Sequence, residues 1–324
     1  GPVDAVCDGC YLYPPTLAQV TAPLALLPLP LAKAVWFVLL SLAALASTWL
    51  ATGIGGAPRS LERLLWCFVA TAFFVPTFHS NYYGNVGSLL ALATVAVALG
   101  GTAAGAGAAL ATLMKVTPGA WIGAVLVGSR QSRLTFLAVS GVVFLLAFAL
   151  SAGAWLEYPT IFLNMLRGAT DYPFNLALGN VALSTGWSEA AATLLRVLSV
   201  GTGAVALVAS VWLARRARGM PAAAVAGGVA MLLIPATLWA HYFAVLLPFA
   251  AMAWPAAGPL ARTSLFAGAA LVVVFGLGAP GFLPHVGSAV LVATALRVLW
   301  PRSGQDRQHG RPSSEPTGAA PAHA

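Results

Sequence analysis

Apolar runs of roughly 15 to 25 residues recur from Leu31 to Trp300, and they limit what this chain can fold into. Of the 324 residues, 60% are hydrophobic and 7% are charged. One water-soluble core cannot hide so many apolar runs from solvent. A run that lies in lipid must satisfy its own backbone hydrogen bonds, which a helix does. The pattern therefore predicts an all-α, polytopic membrane protein that contacts the lipid bilayer.

The basic residues between the runs predict the direction of each crossing, because cytoplasmic loops collect Lys and Arg. Starting outside near Pro30, this rule predicts membrane helices over residues 31–52, 64–75, 86–100, 134–153, 190–213, 221–237, 242–257, 265–278 and 286–300. The segment 102–128 begins and ends on the cytoplasmic side and has Lys115 and Pro118 near its middle. We therefore expect a broken hairpin there, and about eleven membrane helices counting both of its arms.

Three regions follow from this pattern. Residues 1–30 are expected to form an extracytoplasmic loop with a short juxtamembrane helix at 16–27, between pairs of prolines. Residues 31–300 form the transmembrane domain, in which the polar interval 157–189 is expected to be a long outer loop. Residues 301–324 are rich in Pro, Ser, Gly and Arg, which is typical of a disordered tail, here cytoplasmic.

A charged side chain at membrane depth costs on the order of 3 kcal/mol or more unless it is compensated, so it indicates function. Lys115 lies at the predicted hairpin tip, where an anion would offset its charge. The alternative is a structural ion pair or a lysine bonded to carbonyl groups. His241 follows Trp239 at a predicted outer turn, where an ordinary interfacial histidine is the alternative. Arg167 and Asp171 are typical of an exposed salt bridge.

The net charge of +8 does not indicate binding to nucleic acid, because the basic residues lie between apolar runs and form no stripe with aromatic residues. The sequence has no pair of acidic residues typical of a metal-bound nucleotide, and no glycine-rich phosphate loop between a strand and a helix. We therefore expect no metal, no cofactor and no nucleic acid among the binding partners.

Three short motifs occur in order along the chain. Tyr13-Pro14-Pro15 precedes a proline-punctuated apolar segment, Lys115-Val116-Thr117-Pro118 ends an alanine-rich helix, and His241-Tyr242 precedes an apolar run that contains Pro248. Together they resemble the Y-P-P, K-x-T-P and H-Y elements of glycosyltransferase family 87. This family comprises integral-membrane mannosyltransferases and arabinofuranosyltransferases with the GT-C architecture, so the resemblance implies a GT-C-like helix bundle.

The resemblance also implies an activity. It predicts transfer of a sugar, with mannose as the expected one, from a polyprenyl-phosphate donor to a glycolipid or glycan of the cell envelope, at the extracytoplasmic face of the plasma membrane. A departing phosphate needs cations nearby, which assigns Lys115 and His241 to the donor phosphate. The residues expected to line the cavity or contact substrate are Tyr13, Pro14, Pro15, Tyr82, Asn85, Thr117, Pro118, Arg167 and Asn180.

The sequence departs from the family pattern in three places. Gly84-Asn85-Val86-Gly87 stands where the family has G-Q-x-N, and Asn180-Val181-Ala182 stands where it has N-x-S. The family's catalytic Asp lies ahead of the Y-P-P motif in a D-x-x-V-Y setting, which neither Asp4 nor Asp8 matches. We therefore expect the catalytic base upstream of Gly1.

A secondary transporter is the main alternative, because transporters also combine broken helices with a rare intramembrane cation. Against it, none of the eight acidic residues is central to a predicted membrane helix. A carrier coupled to protons or sodium ions usually needs such a residue. A flippase for lipid-linked sugars is a further alternative.

Overall fold

The computed structural model describes residues 13–168, 175–274 and 281–301, without the side chains of residues 164–168. Within those ranges the chain contains helices and no strand, which confirms the all-α class. The predicted tail lies outside the described residues beyond Pro301. The α-helices are α1 (Pro15–Thr21), α2 (Leu29–Ile54), α3 (Leu61–Phe73), α4 (Val75–Tyr82), α5 (Gly87–Leu99), α6 (Gly101–Met114), α7 (Ile122–Gly128), α8 (Arg130–Leu150), α9 (Ala152–Gly168), α10 (Leu178–Ser184), α11 (Glu189–Ala214), α12 (Met220–Leu233), α13 (Leu246–Ala253), α14 (Pro259–Val274) and α15 (Leu283–Leu299).

Short 3₁₀ segments connect some of these helices: Ala22–Leu26, Thr117–Trp121, Ala240–Val245 and Trp254–Ala256. By length and composition, α2, α8 and α11 are each able to cross a membrane. Together α3 and α4 make a fourth candidate span, and shorter apolar helices of 10–17 residues account for the other predicted crossings. A polytopic helical membrane protein is confirmed.

The second predicted crossing is bent rather than straight. Between α3 and α4 the helix axis turns by 67° at Phe74, whose backbone is extended. Pro76 lies in the first turn of α4 and has no N–H with which to continue the α3 hydrogen-bond pattern. The chain therefore leaves α3 early, and α4 forms where the sequence predicted an outer turn.

The predicted broken hairpin is present, with α6 and α7 as its arms. Lys115 follows α6 in an extended conformation, and Pro118 lies in the 3₁₀ segment that leads to α7. The bases of both arms lie beside Met220. A Cβ atom built on Gly100, just before α6, would lie 3.7 Å from the Met220 side chain, and one built on Gly128, at the end of α7, would lie 3.1 Å from it. With 14 residues, α6 spans roughly 21 Å, which is less than the ~30 Å hydrocarbon core.

Basic residues lie near the base of the hairpin. Met220, beside the hairpin base, follows the basic residues Arg215, Arg216 and Arg218. The hairpin tip points to the opposite end, which also holds the turn between α4 and α5. There Trp36, in the second turn of α2, donates from Nε1 to the Gly84 carbonyl oxygen at 2.8 Å.

The polar interval 157–189 is not the loop that its composition predicts. Most of α9 and all of α10 lie within it. Along α9, Trp155, Tyr158 and Phe162 recur at helical spacing, and their rings pack in sequence with centroids 6.2 and 6.3 Å apart. The expectation was wrong because Pro159 and the polar residues around it concealed this helical period.

Candidate functional site

The hairpin tip brings the three sequence motifs together around one ammonium group. The Lys115 side chain is only 7% exposed, and its Nζ lies 3.3 Å from His241 Nε2. The same Nζ lies 3.9 Å from the ring centroid of Tyr242 and 4.8 Å from that of Tyr13. Residues far apart in the sequence therefore surround a single buried cation with aromatic rings and an imidazole.

The backbone around Lys115 explains its position. Its N–H donates to the Ala111 carbonyl oxygen at 2.8 Å, which completes the last turn of α6. After it the chain becomes extended and enters the 3₁₀ segment that contains Pro118. Trp121 anchors that segment, because its Nε1 donates to the Ala224 carbonyl oxygen of α12 at 3.0 Å. The tip is therefore fixed against the centre of the bundle.

His241 lies on the 3₁₀ segment Ala240–Val245, which α4 and α5 contact. A Cβ atom built on Gly87 would lie 2.5 Å from the His241 carbonyl oxygen and 2.6 Å from Ser80 Oγ. Only glycine allows α5 to approach this closely. His79 of α4 interacts electrostatically with His241 and so belongs to the same cluster.

Tyr13 precedes α1, in which Pro15 takes the first position. Such a proline is favourable because its missing N–H has no partner in the helix and its φ is already helical. Burial raises the pKa of the Tyr13 hydroxyl to about 12, although a hydrogen bond with the Asn85 side chain partly opposes the shift. The phenol therefore stays neutral at physiological pH and remains a hydrogen-bond donor.

Lys115 has no carboxylate partner in the described ranges. The acidic residues described there are Glu62, Glu157 and Glu189, and all three are exposed. An ammonium group has no lone pair, so its contact with His241 requires the free lone pair of a neutral imidazole. When Lys115 is protonated, the pair therefore carries one positive charge. A buried cation without a counter-ion is a favourable place for an anion.

Comparison with known proteins identifies the family. The model of glycosyltransferase family 87 matches residues 11–240, which is more than half of the chain and includes Tyr13 and Lys115. The chain belongs to glycosyltransferase family 87. This protein is therefore a membrane glycosyltransferase. No curated protein and no solved structure matches it.

Not every residue predicted for the site of this family 87 protein lies near Lys115. Tyr82 is 68% exposed, and its ring packs against Tyr83 with centroids 5.2 Å apart. Asn180 lies on α10, where its Oδ1 accepts from Arg196 Nη2 at 3.0 Å. The Arg167 side chain lies outside the described residues. The structure thus records no contact of Tyr82 or Asn180 with Lys115.

Other predicted residues do border the cluster. Pro14, Pro15 and Pro118 are buried, the two former beside Tyr13 and the latter in the hairpin tip. Thr117 Oγ1 and Asn85 Oδ1 are both buried and have no hydrogen-bond partner among the described residues. The Asn85 oxygen is available to a ligand, whereas the Thr117 oxygen lies next to the Tyr242 hydroxyl.

The sequence did not indicate the contribution of three residues to the Lys115 cluster. Tyr242 was part of a motif, but its ring contact with Lys115 was not predicted. Gly87 was treated only as a substitute for the family's Asn, whereas it allows the approach to His241. No sequence motif includes His79. Of these three residues, only Tyr242 had a sequence signal, because it stands next to His241 in the same motif.

Proposed function

We propose that this protein transfers a sugar, with mannose as the expected one, from a polyprenyl-phosphate donor to a glycolipid or glycan of the cell envelope. The buried Lys115 ammonium, which among the described residues faces His241 and two tyrosine rings and no carboxylate, carries this proposal. Its charge is not neutralised in advance, so a phosphate can neutralise it.

In the proposed reaction, the acceptor hydroxyl oxygen forms a bond to the anomeric carbon of the donor sugar. The bond between that carbon and the phosphate oxygen breaks, and the phosphate leaves with the electron pair. Lys115 stabilises the negative charge that grows on this oxygen, and does so more strongly in a dry site than in water. The hydroxyl proton goes to a base, for which the Asp predicted ahead of Tyr13 remains the expectation.

A groove next to the site supports a lipid-linked donor. It has a volume of about 490 Å³ and lies between α2 and the bent pair α3 and α4. Its walls are mainly apolar, and it includes Ser41, Thr71 and Asn81. Asn81 follows His79 on α4, so the groove and the Lys115 cluster share one helix. We assign this groove to part of the isoprenoid chain.

The charge distribution supports an extracytoplasmic reaction. Arg215, Arg216 and Arg218 lie near the hairpin base, at the end of the bundle opposite the Lys115 tip. Because Lys and Arg collect on the cytoplasmic side, the tip is expected to face outward. This orientation fits a plasma-membrane enzyme that modifies the cell envelope.

The decisive experiment replaces Lys115 by methionine in the full-length protein. Lys115→Met keeps the length of the side chain and removes its charge. We expect sugar transfer from polyprenyl-phosphate mannose to fall by about a hundredfold or more, because an electrostatic contact to the leaving group is lost. Thermal stability in detergent is expected to stay equal or to rise, because the variant removes an uncompensated buried charge.

Lys33→Met is the matched control, because Lys33 is exposed in the second turn of α2. It is expected to retain wild-type transfer. Wild-type transfer by Lys115→Met would contradict the proposal. Transfer measured in detergent micelles also separates the enzyme from a transporter or a flippase, since micelles support no transmembrane gradient and no second leaflet.

A further inference from the structure

Polar atoms without partners gather around the hairpin tip. Seven buried side-chain nitrogen or oxygen atoms in the described residues make no hydrogen bond: Thr16 Oγ1, Gln19 Oε1, His79 Nδ1, Asn85 Oδ1, Thr112 Oγ1, Thr117 Oγ1 and Trp155 Nε1. Buried polar atoms in folded proteins are nearly always paired, so each exception calls for an explanation. All seven lie on segments next to Lys115 or on the neighbouring helices α1 and α9.

Six of these atoms form two groups, and the seventh, Thr112 Oγ1, lies in the last turn of α6 before Lys115. His79, Asn85 and Thr117 belong to the cluster already described around Lys115. Thr16 and Gln19 lie on α1, one helical turn apart and on the same face. Gln19 Nε2 donates to the Ala147 carbonyl oxygen at 2.7 Å, which fixes the amide and leaves Oε1 as a free acceptor.

The third atom of the second group is the Trp155 N–H of α9. The Trp155 ring packs against Phe144 of α8 at 5.0 Å between centroids. Because Gln19 bonds to Ala147 of the same helix, α8 brings α1 and α9 together. The three helices are in contact with one another. An acceptor from α1 and a donor from α9 therefore flank the same stretch of α8.

Aromatic rings link this region to the hairpin tip. The Tyr158 ring lies 6.2 Å from that of Trp155, and the Tyr158 hydroxyl is near enough to that of Tyr242 to affect its ionisation. Tyr242 in turn contacts Lys115. On the other side, Tyr13 contacts Lys115 and leads directly into α1. Both α1 and α9 thus extend from the proposed phosphate site.

We propose that the region between α1 and α9 binds a sugar ring, through Thr16, Gln19 and Trp155. This inference rests on the proposed function. Sugar hydroxyls both donate and accept, which suits a side-chain hydroxyl, a fixed amide oxygen and an indole N–H. The C–H faces of a sugar ring are apolar and suit the aromatic rings of Trp155 and Tyr158. The sugar is that of the donor or that of the acceptor.

Thr16→Val and Trp155→Phe test this site with little change of shape. Each variant removes one hydrogen-bonding group and keeps most of the side-chain volume. The matched controls are Thr94→Val, whose hydroxyl bonds within α5, and Trp187→Phe, whose ring is exposed. Three quantities are measured: the Kd of polyprenyl phosphate, the Kd of polyprenyl-phosphate mannose, and the KM of octyl mannoside as acceptor probe.

If the donor sugar occupies the site, each variant raises the Kd of polyprenyl-phosphate mannose about tenfold and leaves the Kd of polyprenyl phosphate unchanged. If the acceptor sugar occupies it, the KM of octyl mannoside rises about tenfold while both Kd values stay constant. Unchanged values in both variants, with Lys115→Met still defective, would overturn this inference and leave the proposed function intact. Failure of the wild-type protein to bind polyprenyl phosphate would overturn both.

Discussion

The environment of Lys115 keeps its charge available. A carboxylate at 3 Å would neutralise the ammonium permanently and close the site to an incoming anion. The rings of Tyr242 and Tyr13 instead attract the cation through their π-faces, which offsets part of the cost of burial without adding an opposite charge. His241 contributes a lone pair in the same way. This combination favours an exchangeable anion over a fixed ion pair.

Replacing Gly87 by alanine tests how precisely His241 must be placed. The new Cβ would lie 2.5 Å from the His241 carbonyl oxygen, so α5 and the His241 segment must separate. We expect sugar transfer to fall about tenfold or more, since small displacements of binding groups have large effects on rate. Gly141→Ala is the control, because nothing lies within 4 Å of its Cβ position. Equal transfer rates in both variants would contradict this role of Gly87.

At the scale of residues, the sequence is most informative about polar residue types that are rare in membrane segments. A lysine in an apolar segment is unusual, and this alone is why the sequence predicts that Lys115 binds a ligand. The sequence predicts that Lys115 and His241 share a site, but it does not predict that their side chains are in contact. The ring contact of Tyr242 and the close approach of Gly87 depend on how distant segments pack, which no local pattern encodes.

At the scale of elements, hydrogen bonds from Asn175 and Leu176 hold residues 236–238, which lead into the 3₁₀ segment that contains His241. Asn175 Nδ2 donates to the Ala236 carbonyl oxygen at 3.0 Å, and its Oδ1 accepts from the Leu238 N–H at 2.9 Å. The Leu176 N–H donates to the Leu238 carbonyl oxygen at 2.6 Å. Asn175 therefore fixes the chain three residues before His241 and serves as a positioning residue.

Asn175→Ala is expected to lower kcat about tenfold, because the His241 segment loses two hydrogen bonds that place it. Asn175→Asp keeps the acceptor for Leu238 and loses the donor to Ala236, so we expect an intermediate kcat. Thr185→Ala removes only a hydroxyl that donates to the Val181 carbonyl oxygen of the adjacent α10 and serves as the control. Identical kcat values for Asn175→Asp and Asn175→Ala would show that the hydrogen bond from the Leu238 N–H to Asn175 Oδ1 does not position His241.

The groove between α2, α3 and α4 gives a second test at this scale. Ala72 lines the groove, and Ala72→Trp would fill part of its volume. We expect the KM of a long-chain polyprenyl-phosphate mannose to rise at least fivefold, while a short-chain donor is unaffected, since apolar contact grows with each buried isoprene unit. Ala70→Trp, exposed on the same helix and outside the groove, is the control. Equal KM shifts for the long-chain and short-chain donors would show that the groove does not bind the isoprenoid chain.

Element boundaries were predictable where long apolar runs end at charges. The predicted segments 31–52 and 190–213 correspond to α2 (Leu29–Ile54) and α11 (Glu189–Ala214). The bend at Phe74 was not predicted, because a proline just past the end of an apolar run, here Pro76, is typical of a helix end and gives no sign of a second helix. Helix α9 was missed for the same reason: its proline and polar residues are also typical of loops.

For the whole molecule, the basic cluster and the hairpin tip lie at opposite ends, which predicts the side of the membrane that Lys115 faces. After replacement of Cys7, Cys10 and Cys67 by serine, Lys115→Cys is expected to react with a small thiol reagent added from outside intact cells. Tyr83→Cys and Arg216→Cys, both exposed positions, serve as outer and inner controls. Reaction of Lys115→Cys only after the inner face is opened would reverse the orientation.

The short arms of the hairpin have a consequence for the membrane around the protein. An arm of roughly 21 Å leaves the ammonium roughly 9 Å beneath the boundary of a ~30 Å hydrocarbon layer. A lipid phosphate normally rests at that boundary, so it must sink inward, or the surrounding leaflet must thin, before the two charges meet. Hydrophobic mismatch thus becomes part of substrate recognition, and bilayers of different acyl-chain length present the same donor at different heights.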